Sequence, residues 1–423
     1  MTQKHKAILV GADFYSQPNF KDSMEELFHL AEACEIEVVG QITQKLNRAN
    51  SAHYIRKGKL QEVLELLDET NGDMVVFNDE LSPSQIRNLE AVLECRIMDR
   101  TVLILDIFAQ RAKTKEAKLQ VEIAKLQYLL PRLIGLGESL GRQGGGAGLK
   151  NRGSGETKLE LDRRKIEDRI SGLHKELENL VAQRQNQRKK RKKLEVPVIA
   201  LVGYTNAGKS TIMNAMIDLY HQSTEKQVFE KDMLFATLET SVRNIRLPDN
   251  KSFLLTDTVG FISKLPHQLV KAFRSTLEEV AEADVLIHVV DYSNPNYKQQ
   301  MEVTKETLTE LGVDNIPIIV AYNKTDLVEG EIPEGDEDCV YISARTQSRI
   351  GELAEVIRQK AFTRYVHCQM LIPYDKGNIV SYFNDNANIN STEYQSDGVL
   401  LSLDCKEADY ERFKQYERQA NFQ

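Results

Sequence analysis

The chain has 423 residues, 41% of them hydrophobic and 28% charged, with a formal net charge of −8 at pH 7. That length allows two to four domains, and the balance fits a soluble globular protein. The acidic balance argues against a generally basic nucleic-acid binder, and no apolar run approaches the roughly 18 residues of a membrane span. The start of the chain is charged and leads into a short strand, unlike a signal peptide. Cys34, Cys95, Cys339, Cys368 and Cys405 are scattered without metal spacing, so reduced thiols and a cytoplasmic location are expected.

Residues 6–10, 37–42 and 74–78 read as strands. Residues 23–34, with Met24, Leu27, Phe28 and Leu30 on one face, and 60–67 read as helices. Ser82-Pro83-Ser84 marks a helix start ahead of Ile86, Leu89 and Val92; residues 96–98 and 102–108 close the region. Alternating strands and helices predict a small α/β layer with parallel pairing over residues 1–112. Lys57-Gly58-Lys59 precedes a helix, where phosphates often bind, but lacks a glycine-rich frame and reads as a solvated loop.

Residues 113–195 change character. Leu119, Ile123, Leu126, Leu130 and Leu133 step by four and three, and a second seam runs through Leu159, Ile166, Ile170, Leu173, Leu177 and Leu180. Two heptad seams joined by a loop predict an antiparallel coiled-coil hairpin. The loop, residues 135–155, holds nine glycines with Arg142, Lys150 and Arg152 interleaved and Glu138 its one acid. It cannot build a core, and long structureless loops are uncommon in compact domains unless functional. Contact with RNA through Arg142, Lys150 and Arg152 is favoured over a passive linker. Six consecutive cations, residues 188–193, end the second helix.

Residues 196–363 carry the chemistry. An apolar run, 198–202, leads into Gly203-Tyr204-Thr205-Asn206-Ala207-Gly208-Lys209-Ser210-Thr211 and then an apolar-periodic helix. Strand, glycine loop and helix together are the context of a P-loop: backbone N–H groups and the helix N-terminus face phosphates, Lys209 reaches the β- and γ-phosphates, and the Ser210 hydroxyl meets Mg²⁺. Phe235-Ala236-Thr237-Leu238-Glu239 follows as a switch, with Thr237 toward Mg²⁺ and the γ-phosphate. A strand over 252–256 ends at Asp257-Thr258-Val259-Gly260; Asp257 suits Mg²⁺ through water and Gly260 offers its N–H to the γ-phosphate. Further strands, 285–290 and 317–322, precede Asn323-Lys324-Thr325-Asp326. The Asp326 carboxylate accepts guanine N1–H and N2–H₂, a donor pair adenine lacks, which selects GTP. After a last strand at 340–342, Ser343-Ala344-Arg345 clamps the base. Lys209, Thr237 and Gly260 are assigned to hydrolysis, and Ser210, Thr237 and Asp257 to the metal.

After Gly260, where many GTPases place a water-orienting glutamine, stands Phe261. A phenyl ring cannot hydrogen-bond water, so a slow hydrolase that needs a partner, a moved segment or a cation is expected. Asn206 suits a monovalent cation, K⁺, or loop stabilisation alone. Residues 364–423 read as a small α/β packing or binding module, with strands at 369–373 and 399–405 and a helix at 407–418.

The motif order given above, together with Asp257-Thr-Val-Gly-Phe-Ile262, resembles the HflX GTPases. The upstream segments Asp99-Arg-Thr-Val-Leu-Ile-Leu-Asp-Ile-Phe-Ala-Gln-Arg111, Leu129-Leu-Pro-Arg-Leu133 and Gly155-Glu-Thr-Lys-Leu-Glu160 are more specific still. The resemblance covers nearly the whole chain. It implies an α/β protein: a P-loop GTPase domain with an N-terminal α/β domain, a helical hairpin and a small C-terminal α/β domain. It also implies a GTPase that binds the large ribosomal subunit and its RNA, points its hairpin at the peptidyl transferase centre, and splits or rescues ribosomes. A monomer is expected. Two departures stand out. Ile55-Arg-Lys-Gly-Lys59 replaces the family's glycine-x-glycine-lysine, and Leu149-Lys-Asn-Arg-Gly-Ser-Gly-Glu156 is two residues longer than the family's Leu-Arg-Gly-Pro-Gly-Glu. The longer loop opens a role in displacing ribosome-targeting drugs. The alternatives are a GTP-switched assembly factor and an ATP-driven RNA-remodelling enzyme using the N-terminal domain.

Overall fold

A computed structural model describes residues 5–14, 19–143, 154–192, 196–220, 235, 240–265, 280–313, 315–363 and 365–418, with backbone alone for 133–143, 154–159 and 183–192. The chain forms two compact units, one of residues 1–189, 231–239 and 259–277, the other of 190–230, 240–258 and 278–423.

In the first unit, β1 (Lys6–Phe14), β2 (Glu37–Leu46), β3 (Met74–Phe77) and β4 (Arg96–Asp99) form a parallel sheet in the order β2-β1-β3-β4. Side chains alternate between its faces. Ile8, Val10, Val75 and Phe77 pack with Val63 and Leu67 of α2 (Lys57–Thr70) and Leu89 of α3 (Pro83–Leu93). The opposite face is covered by α1 (Phe20–Ala33) and α4 (Arg100–Arg111). A sheet covered on both faces needs continuous apolar strands, which is why β3 is buried at every position. The Ser82 start is realised as a capping box with Gln85, with Pro83 in the first turn. Residues 102–108 lie in α4, because the Asp99 carboxylate caps it through the Val102 N–H.

Helices α5 (Lys115–Gln143) and α6 (Ser154–Lys192) run antiparallel: Lys115 pairs with Glu176, and Glu122 with Arg169. Leu119, Ile123 and Leu173 are buried between them, with Leu126, Leu177 and Leu180 packed alongside. Helix extends further than the glycine count predicts, through Gly135, Gly137 and Gly141, leaving only 144–153 between the helices. Once a long helix is nucleated, each added residue gains a backbone hydrogen bond, which offsets the roughly 1 kcal/mol cost of a glycine.

In the second unit, β5 (Val198–Gly203), β6 (Ser241–Arg246), β7 (Ser252–Asp257), β8 (Val285–Asp291), β9 (Ile318–Asn323) and β10 (Cys339–Tyr341) form a sheet in the order β10-β9-β8-β5-β7-β6, parallel except for β6 at its edge. Ile199, Leu201, Ile287, Val289, Ile319 and Ala321 pack one face against α7 (Lys209–Leu219) and α9 (Ile350–Ala361). Helix α8 (Tyr297–Glu310) packs against β5 and β8. An antiparallel sheet of β11 (Tyr365–Ile372), β13 (Gly398–Lys406) and β12 (Asn388–Gln395) follows, with α10 (Gly377–Asn386) and α11 (Glu407–Phe413). The β6–β7 turn grips this C-terminal sheet layer. Asn250 Nδ2 donates to the carbonyls of Asn384 and Ala387, each at 3.2 Å, and the buried Lys251 ammonium lies 5.0 Å from the Tyr365 ring centroid. Among the described residues no helix is long and apolar enough to cross a membrane.

Candidate guanine-nucleotide site

The glycine loop leaves β5 at Gly203 and enters α7 at Lys209. Space and backbone angle both demand its glycines. Gly203 has φ 144°, and a Cβ there would meet the Val289 carbonyl oxygen at 2.3 Å; Gly208 has φ 95°, and its Cβ would meet Asn323 Nδ2 at 2.2 Å. Asn206, exposed, takes a left-handed φ of 60°, which asparagine tolerates. The result is a tight turn directly ahead of a helix N-terminus, where backbone N–H groups and the helix dipole favour an anion.

Lys209 is buried, and its ammonium donates to the carbonyls of Gly203 at 3.1 Å and Tyr204 at 2.8 Å. Burial pushes its pKa down to about 8, against the opposing pull of Asp257. Ser210 Oγ donates to Asp257 Oδ2 at 2.6 Å, and Asp257, fully buried, ends β7 opposite Leu201 of β5. A hydroxyl and a carboxylate converging this closely are the hard oxygen donors that Mg²⁺ prefers, so the residues present fit that ion. Thr258, fully buried, spends its hydroxyl on the Leu201 carbonyl at 2.6 Å, which ties the end of β7 to β5.

Asn323, buried at the end of β9, fastens the phosphate loop to the base-side loops: its Nδ2 donates to Ala207 O at 2.9 Å, and its Oδ1 accepts from Ala344 N at 3.0 Å. Lys324 Nζ pairs with Asp291 at 2.7 Å. Asp326 Oδ1 accepts from Ser343 Oγ at 2.6 Å, which in turn accepts from Thr346 N at 3.2 Å. Arg345 is exposed. Neither Asp291 nor His288 belongs to a sequence motif; the signal for Asp291 is that it closes the apolar run of β8. Burial, then Lys209, pushes His288 down to about 4, so it stays neutral beside that lysine at physiological pH.

Phe235, Val259 and Gly260 fall in the first unit. Phe235, 2% exposed with φ 52°, meets Phe108 of α4 edge to face at 4.7 Å. Phe261 and Ile262, next after Gly260, are buried. The two residues beyond are held at the carboxyl end of the N-terminal sheet. Arg100, 2% exposed, donates to Ser263 O at 3.2 Å and pairs with Glu26, which also accepts from the Ser263 hydroxyl. Lys264 pairs at 2.7 Å with Asp79, itself an acceptor from the Tyr54 phenol. Ala236, Thr237, Leu238 and Glu239 lie outside the described residues, as do Lys150, Arg152 and the Arg142 side chain.

A glycine loop between a buried strand and a helix, a carboxylate ending the neighbouring strand, and an Asn-Lys-x-Asp turn beyond β9 define a P-loop GTPase on an α/β sheet. Residues 21–109 match the family described as GTP-binding GTPase N-terminal, 111–191 its middle region, and 198–324 the family described as 50S ribosome-binding GTPase. The chain belongs to the HflX family of GTPases and hydrolyses GTP. It is 45% identical over 401 residues to GTPase HflX of Caldanaerobacter subterraneus subsp. tengcongensis, covering 95% of this chain and 91% of that relative. With GTPase HflX of Escherichia coli K12 it shares 37% over 414 residues, 96% and 95% of the two chains. Among solved structures it is similar to a GTP-binding protein from Sulfolobus solfataricus in complex with GDP, at 27% identity over 84% of this chain and 98% of that one, with a TM-score of 0.44.

Proposed function

We propose that this GTPase binds the large ribosomal subunit, largely through its RNA, and uses GTP to split or rescue stalled ribosomes. The observation that carries the proposal is the hairpin: antiparallel helices of 29 and 39 residues whose connecting sequence is rich in glycine and includes Lys150 and Arg152, with Arg142 just before it. Cations on such a tip suit a phosphate backbone. The match of 198–324 to a family named for 50S ribosome binding supports the same partner.

In the nucleotide site, residues 203–211 cradle the phosphates and Lys209 neutralises the β- and γ-phosphate charge. Ser210, Thr237 and Asp257 hold Mg²⁺, which shields the charge that develops as the terminal phosphate leaves. Gly260 and Thr237 sense the γ-phosphate within the switch residues 235–239 and 257–260. Asn323, Lys324 and Asp326, with 343–345, select guanine. Asn206 serves as a K⁺ ligand. With Phe261 in place of a glutamine, and the residues after Gly260 held by Arg100, Glu26 and Asp79, turnover by the free protein is slow. Docking on the subunit releases that hold. The longer loop reaches bound antibiotics and displaces them. The protein works as a cytoplasmic monomer, organised as domains 1–112, 113–195, 196–363 and 364–423.

Sedimentation of intact ribosomes with GTP, GDP or a non-hydrolysable analogue tests the proposal. Conversion to subunits with GTP is expected. Intact ribosomes left whole, with binding confined to immature large subunits, would make it an assembly factor instead.

A further inference from the structure

Two of the segments that set this sequence apart, around Asp99 and around Pro131, meet at one point in the first unit. Asp99 ends β4 and is fully buried. Its Oδ1 accepts from Val102 N at 3.0 Å; its Oδ2 accepts from Leu81 N at 3.0 Å, from the Tyr128 phenol at 2.6 Å and from Arg132 Nη2 at 3.3 Å. Tyr128 and Arg132 are one turn apart on α5, so they face the same way. The Arg132 guanidinium lies 3.1 Å from the Tyr128 ring centroid, and it also donates to Leu81 O at 3.2 Å and Tyr128 O at 2.6 Å.

Between these two residues sits Pro131, inside the helix. Proline has no N–H, so the carbonyl four residues back, that of Gln127, loses its helical donor, and helices bend at such a point. Arg132, reaching back to the next carbonyl, bridges the weakened turn. Beyond it the helix continues from residue 133 to Gln143, about 16 Å at 1.5 Å per residue. A change of bend of about 20° at the proline would swing that far end by roughly 6 Å, more than a hydrogen bond or phosphate contact tolerates.

We propose that Asp99, Tyr128 and Arg132 form a lock that splints α5 at Pro131 and sets the direction in which the hairpin projects from the N-terminal sheet. They are positioning residues: none is placed at the nucleotide. Their consequence for turnover rests on the ribosome-dependent activity proposed above. Loss of the lock costs docking, not GTP binding.

The test uses the full chain with Tyr128→Phe, which keeps the ring under Arg132 and removes only the hydroxyl, and with Arg132→Lys, which keeps charge but loses the planar fork. Spin labels at Val92→Cys and Leu161→Cys, both exposed sites, in a background without other reactive thiols, report the hairpin's direction. GTP turnover against large-subunit concentration reports docking. Each variant should broaden or shift the label distance and raise the half-saturating subunit concentration at least about fivefold, with basal turnover and GTP affinity unchanged. An unchanged distance distribution overturns the lock, whatever happens to turnover. A broadened distribution with unchanged half-saturation overturns its role in docking. If the unmodified protein shows no stimulation by subunits, the ribosomal proposal fails while the distance measurement still decides the lock.

Discussion

The buried Lys209 ammonium makes nucleotide binding sensitive to pH in a direction that can be worked out. Its pKa is about 8 in the nucleotide-free protein because burial disfavours its charge. Phosphate oxygens in contact with it favour the charge, so binding raises that pKa and takes up a proton above pH 8. Affinity is therefore full below about pH 8 and falls above it. With a pKa of about 8, Lys209 is mostly charged at pH 7 and mostly neutral at pH 8.5, so Kd should rise severalfold, a change on the order of 1 kcal/mol. Stopping at 8.5 keeps guanine N1 protonated. Stability of the empty protein runs the other way. Between about 8 and the unfolded lysine value near 10.4, the unfolded chain binds more protons, so folding stability rises with pH. Equilibrium titration with a fluorescent guanine nucleotide measures the first effect, and thermal unfolding without nucleotide the second. Lys209→Arg, charged throughout, should bind with a flat pH profile. The same slope in wild type and Lys209→Arg would refute the assignment of this proton to Lys209.

Three substitutions probe the remaining parts. Gly208→Ala places a Cβ 2.2 Å from Asn323 Nδ2 at a φ of 95°; with strain of about 1–3 kcal/mol, nucleotide affinity should fall about tenfold or more by titration, and normal binding would mean the loop yields. Asp326→Asn removes a charged acceptor worth about 1.5–3 kcal/mol, so competition between GTP and ATP should show guanine preference cut at least about tenfold; unchanged discrimination would remove Asp326 from base recognition. The double variant Ser263→Ala, Lys264→Ala removes the Ser263 hydroxyl from Arg100 and Glu26 and the Lys264 pair with Asp79, which loosens the residues after Gly260 although the Arg100 bond to the Ser263 carbonyl remains. Single-turnover hydrolysis by the free protein should rise severalfold, and an unchanged rate would mean these contacts do not restrain it.

Much of the site was legible because its chemistry needs fixed residue types at strand ends. Gly203, Gly208, Lys209 and Ser210 follow a strand too apolar to lie anywhere but in a sheet interior, and Asp257 ends its neighbour. Elements without such a signature were harder to read. Strand β6, Ser-Val-Arg-Asn-Ile-Arg, pairs at the sheet edge with only Ile245 buried, so its side chains show no apolar run. Residues 102–108 are apolar at every position but Asp106, a pattern shared by buried strands and buried helices. The Asp99 cap decides between them, and that carboxylate is also engaged by Tyr128 and Arg132 from 29 and 33 positions away. The hold of Arg100 on Ser263, 163 positions apart, is a tertiary fact that no local pattern encodes. The glycine-rich segment misled in the other direction, since composition shortened the predicted helices that the hairpin extends.

The most direct measurement is GTP turnover by the full chain with and without purified large subunits, beside a variant with residues 142–152 shortened or Arg142, Lys150 and Arg152 neutralised. Even a GTPase with its water-orienting glutamine runs at only on the order of 10⁻⁴ s⁻¹ without an activator, and Phe261 should hold the free protein at or below that scale. Large subunits should raise turnover by orders of magnitude. The loop variant should lose much of that gain and part of its salt dependence, while its GTP affinity stays the same. Equal rates with and without subunits would contradict ribosome-dependent activation.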